Sequence, residues 1–81
     1  NPATKIKYTV PNAENHNNGL LYVTLKVYDV LGNEIAVLVN EHQYTGHYEI
    51  EFIPRNLASG MYFYKLQAGA LTKTMKMIYS K

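Results

Sequence analysis

An all-β antiparallel fold, a sandwich or small barrel, is the class that this sequence predicts, and three observations predict it. Apolar and polar residues alternate over six short runs. Turn-forming residues recur roughly every ten positions between the runs, and no segment carries the spacing of an amphipathic helix. The chain has 81 residues, 47% of them apolar, with eight tyrosines and no cysteine. That length fits a single domain over residues 1–81 and leaves no room for a second core. A chain this short hides only about 60% of its unfolded surface, so its stability must come from apolar packing, with no disulfide framework to help.

The first run, residues 4–10, places Ile6, Tyr8 and Val10 on one side and Lys5, Lys7 and Thr9 on the other, the mark of a half-buried strand. Pro11 ends it, and residues 12–19 form a polar, Asn-rich loop. The clearest strand is residues 21–28, where Leu21, Val23, Leu25 and Val27 alternate with Tyr22, Thr24, Lys26 and Tyr28. Residues 29–33 (DVLGN) break the pattern, with Gly32 and Asn33 able to take the positive φ of a short strand connection.

Residues 34–39 are apolar on both sides, Ile35, Val37 and Val39 against Ala36 and Leu38. This predicts a strand that is central or covered on both faces; the three β-branched residues favour strand over a short helix. The polar residues 40–45 leave room for a hidden seventh strand. Gly46 precedes Tyr48, Ile50 and Phe52, alternating with Glu49 and Glu51 until Pro54. An aromatic-rich strand over residues 61–68, a turn at Gly69, and a last strand over residues 71–79 complete the set. In that last strand Met75 and Met77 share one face, and Thr74, Lys76 and Ile78 the other.

One local pattern sharpens the fold. In the run LASGMYFY, residues 57–64, Tyr62 lies two residues after Gly60 in the position of a tyrosine corner. Gly60 lets the chain turn into the strand, and the phenol of Tyr62 is expected to bond to backbone upstream. The prediction is therefore an immunoglobulin-like antiparallel β-sandwich of about seven strands, with Gly32, Gly60 and Tyr62 as its structural motif residues.

Catalytic chemistry is absent from the pattern, and neither a cofactor nor a metal is expected. His16, His42 and His47 show no ligand spacing. Glu49 and Glu51 lie about 7 Å apart by strand rise, as a glycosidase pair would, but a lone strand on so small a domain offers no cleft, and they read as its wet side. Ser59 and Ser80 have no base that the sequence identifies, and there is no phosphate-binding glycine loop. The tyrosines are candidates for a sugar platform, although strand packing accounts for most of them. The net charge of +2, with lysines scattered over separate segments, argues against nucleic acid. No stretch approaches the ~20 apolar residues of a membrane span. The opening Asn1-Pro2, without an initiating Met, points to a segment cut from a longer polypeptide. The missing cysteines leave cytosol and exterior both open.

Three blocks together carry a family resemblance: NPATKIKY with Val10-Pro11, then VTLKVYDVLG with Glu34, then LASGMYFYKL with Lys76-Met77. In this order they closely resemble the C-terminal type A sorting domain of the type IX (Por) secretion system, over nearly the whole chain. The resemblance implies a non-catalytic label on a larger cargo protein of a Bacteroidetes-like bacterium. The cargo would reach the periplasm by its own leader, and the label would direct it through the outer-membrane translocon to the cell surface or medium. The implied partners are that translocon, a sortase-like peptidase that removes the label, and the covalently linked upstream cargo.

Candidate translocon-recognition residues are Lys76, Met77, Ile78 and the terminal Lys81, on a last strand expected at or near a sheet edge. Removing residues 76–81 is expected to leave most of the core intact. Two features depart from the family pattern, the longer loop at residues 12–19 and the more polar ending Ile78-Tyr79-Ser80-Lys81. The rival reading is an immunoglobulin- or fibronectin-like structural spacer, or a carbohydrate-binding module of a secreted glycoside hydrolase.

Overall fold

Strict alternation of apolar and polar side chains drives the architecture, and β2 (Leu20–Tyr28) shows it most plainly. Leu21, Val23, Leu25 and Val27 are all buried on one face of this strand, the last three with no exposed surface. Each such side chain contributes about 1.5–3 kcal/mol on leaving water. In the computed structural model, which describes residues 4–12 and 19–80, five more strands surround β2. They are β1 (Thr4–Val10), β3 (Glu34–Tyr44), β4 (Gly46–Phe52), β5 (Gly60–Ala68) and β6 (Leu71–Tyr79). Every pairing is antiparallel. The loop residues 13–18, with His16, and the terminal residues Asn1, Pro2 and Lys81 lie outside the described residues.

A four-stranded sheet runs in the order β3-β2-β5-β6, and a two-stranded sheet pairs β1 with β4. Together they form the predicted antiparallel sandwich, all-β and without a helix among the described residues. Ile6, Tyr8 and Val10 from the small sheet face Leu25, Leu66 and Met77 from the large one across a single core. Because β6 is the last strand in its sheet, its second side pairs with no described strand.

The structure changes the reading of β3 in two ways. Residues 40–44 are strand, but as the second half of β3, paired along residues 20–24 of β2, so the described residues form six strands. And β3 stands at a sheet edge, neither central nor covered on both faces as its apolar pattern predicted. Its run of apolar residues on both sides reflects two register shifts against β2, one between Leu25 and Lys26 and one between Val27 and Tyr28. Each bulge inserts an extra residue and resets which parity points inward. Ile35, Ala36 and Leu38 therefore all pack against the core while Val37 stays exposed.

A single residue, Thr45, separates β3 from β4, so the chain passes from the large sheet to the small one in one step. The Thr45 backbone N–H donates to the Gly19 carbonyl at 3.3 Å, and its hydroxyl donates to the Pro11 carbonyl at 3.1 Å. These bonds anchor the crossing to the ends of β1 and β2.

Candidate functional site

The exposed backbone edge of β6 forms the candidate site. The strand is held in place from the other side by continuous pairing with β5, from Gly60 opposite Tyr79 to Ala68 opposite Leu71. This register sorts the predicted recognition residues. Met77 faces Tyr62 and is only 6% exposed, so its side chain is a packing element closed to a partner. Lys76, opposite Phe63, and Ile78, opposite Met61, lie on the outer face; Ile78 is 66% exposed. Lys81 lies outside the described residues. The expectation that residues 76–81 are dispensable for the core needs correction, since Met77 and Tyr79 are both buried in it.

Behind the edge, Tyr62 fixes the start of β5. Its phenol donates to the Ala58 carbonyl at 2.5 Å, four residues upstream, and the ring is buried. This is the tyrosine-corner contact that the LASGMYFY run predicts. Gly60 opens β5 directly opposite Tyr79.

At the β2–β3 turn, Gly32 takes φ +90°, a conformation that an L side chain resists. Asn33 is put to a different use than the positive φ expected of it. The Asp29 carboxylate accepts the backbone N–H groups of Leu31 and Asn33, each at 2.9 Å, and the Asn33 side-chain amide at 3.1 Å. Those hydrogen bonds, chiefly from Asn33, hold the Asp29 carboxyl below its usual range. Asp29 is a structural residue that the sequence reading passed over; the signal was an Asp two and four residues before the donors it caps, the spacing of an Asx turn.

The residues weighed for chemistry are dispersed. Glu49 and Glu51 are exposed on the outer face of β4, where Glu49 pairs with Lys5 at 3.7 Å. His42 sits edge-on to Tyr22 on the large sheet, whereas His47 contacts the Thr9 hydroxyl at 3.0 Å on the small one. Among the described residues no three His, Cys, Asp or Glu gather around a common point, and no helix is long and apolar enough to cross a membrane.

The tyrosines divide between core and surface, with Tyr22 and Tyr44 exposed on the large sheet. Tyr8, Tyr62 and Tyr79 are buried, and Tyr48 and Tyr64 pack against them. Tyr8 and Tyr48 stack at 5.3 Å. Burial pushes the Tyr8 phenol up, partly offset by its hydrogen bond to Gln43 Oε1 at 2.9 Å.

With this geometry in place, the comparisons with known proteins are specific. A family model described as a secretion system C-terminal sorting domain matches residues 1–80. No curated protein and no solved structure matches the chain.

Proposed function

Since the chain belongs to the family of type IX secretion C-terminal sorting domains, we propose that the translocon reads it along the free edge of β6, with Lys76, Ile78 and Lys81 as the side chains that choose the partner. The domain is a non-catalytic sorting signal, and it implies recognition by the type IX machinery and export by way of the periplasm to the cell surface or medium. The spacer and carbohydrate-binding alternative is not favoured.

The observation that carries the edge reading is the position of β6. A partner strand can pair with its unsatisfied N–H and C=O groups while leaving the core undisturbed. Alternation then gives the partner one row of side chains to discriminate, the row that includes Lys76 and Ile78. In the fuller scheme, residues 1–81 are one sorting domain joined to an upstream cargo, and a sortase-like peptidase separates the two after passage.

The test is a periplasm-directed reporter fused ahead of residues 1–81 in a bacterium with a working type IX translocon. The full domain carries the reporter to the surface or medium, and a translocon-defective strain retains it. Combined Lys76→Glu and Ile78→Glu substitution with removal of Lys81 holds the reporter in the periplasm. Gln at positions 49 and 51 does not. Export that survives the β6 changes in a folded domain refutes the edge reading, and export without the translocon refutes the sorting role.

A further inference from the structure

The small sheet is two strands wide and the large sheet four, so the inner face of β6 is only partly covered. Met77 and Tyr79 are buried, but Leu71 and Met75, on the same inner row, are 38% and 42% exposed. Between this uncovered half of β6 and the free side of β1 runs a groove of about 320 Å³. Tyr64, Leu71 and Met75 form its apolar floor, and Lys7 and Lys73 stand on its walls with no acidic residue among the described lining residues. Among the described residues neither lysine has an ion-pair partner, and β1 pairs with no strand on this side.

The other side of β1 shows what chemistry such an edge accepts. There β4, reading Tyr48-Glu49-Ile50-Glu51-Phe52, sets its glutamates opposite Lys5 and Lys7 and its apolar residues opposite Ile6 and Tyr8. We infer that the groove binds an extended acidic segment of a partner protein in the same manner, as a third strand of the small sheet. Its inward apolar side chains cover Leu71, Met75 and Tyr64 beside Lys73, and its outward carboxylates meet Lys7 as those of β4 do. Those two lysines act as a filter. A basic strand that approaches the open edge sets like charges beside Lys7 on the outer row and adds to the positive charge of Lys73 across the groove. This surface is separate from the outer row of β6, and its failure would leave the export reading untouched.

The chain itself supplies the probe, a capped heptapeptide GHYEIEF with the sequence of β4, to be compared with its basic counterpart GHYKIKF. Backbone amide shifts of the 81-residue chain are followed as each peptide is added. The acidic peptide is expected to move residues 7–9 and 73–75 and to bind about tenfold more tightly than the basic one, the difference between a modest exposed attraction and a like-charge repulsion at Lys7. Joint Lys7→Glu and Lys73→Glu substitution, at two exposed positions, reverses the preference. Met75→Asp weakens both peptides. Equal binding of the two peptides, shifts confined to other faces, or no shift at millimolar peptide overturns the inference. So does self-association of the chain through this groove, seen by sedimentation, which would assign the surface to a second copy.

Discussion

The phenol of Tyr62 and the carbonyl of Ala58 lie 2.5 Å apart, so a hydroxyl that would otherwise be stranded beside the core closes the loop leading into β5. Tyr62→Phe keeps the ring and removes the donor, leaving a part-buried carbonyl unpaired. The expected cost is about 1–3 kcal/mol in a denaturant unfolding experiment with an unchanged m-value. A midpoint equal to that of the parent chain would show that the bond contributes nothing to the fold.

Two turn glycines separate backbone strain from steric clash. At Gly69 φ is +58°, and an added Cβ would meet Leu21 Cδ2 at 2.9 Å; at Gly32 φ is +90°, with nothing within 4 Å. Both alanine variants pay for an unfavourable φ, about 1–2 kcal/mol. Gly69→Ala must also displace a buried leucine and is expected to be the more destabilising of the two by thermal melting. The reverse ranking would mean that the β5–β6 turn yields more readily than the β2–β3 turn.

Asp29 makes the β2–β3 turn sensitive to acid. Its carboxyl titrates lower in the folded chain than its ordinary value of 3.8, so its contribution is present above that value and is lost as pH falls through the lower folded one. The amide shifts of Leu31 and Asn33 should report this titration directly. In Asp29→Asn the acid-dependent step at these amides disappears. A wild-type turn indifferent to pH across the same range would count against the carboxylate cap.

On β6, neighbouring positions should fail for different reasons. Met77→Ala opens a cavity beneath Tyr62 and costs about 2–5 kcal/mol, a large share of the stability of so short a chain. Its export defect should follow the fraction of unfolded domain. Ile78→Ser removes an exposed side chain, leaves the melting temperature nearly unchanged and still lowers export. Loss of stability at Ile78 comparable to that at Met77 would place Ile78 in the core and out of recognition.

Much of this was legible in the sequence because the alternating strands obey a period of two. Ile6, Tyr8 and Val10, or the four apolar residues of β2, announce their buried face without any knowledge of their partners. The tyrosine corner was legible from Gly60 and Tyr62 for the same local reason. Residues 35–39 were misread because a bulge belongs to a pair of strands, and its effect on parity cannot be seen in one of them. Residues 40–45 suggest at most a separate seventh strand, and not the continuation of β3, because only Gln43 among residues 40–44 is even partly buried, and an edge strand need not be apolar to pair. Met77 stands among the recognition candidates through the Lys76-Met77 block of the family resemblance, and a motif does not say which of its side chains points inward; that depends on Tyr62 standing across from it.

The order of strands in the large sheet also ties the signal to the history of the chain. β2 is completed on its inner flank by β5, and β5 in turn by β6, the last described strand to be made. A nascent polypeptide that stops within residues 60–70 leaves β5 as a raw edge, and the outer row of Lys76 and Ile78 does not yet exist. Pairings between segments so far apart in sequence form slowly and late. On the proposed edge reading, the address is readable only once synthesis has run through β6 and folding has closed the sheet.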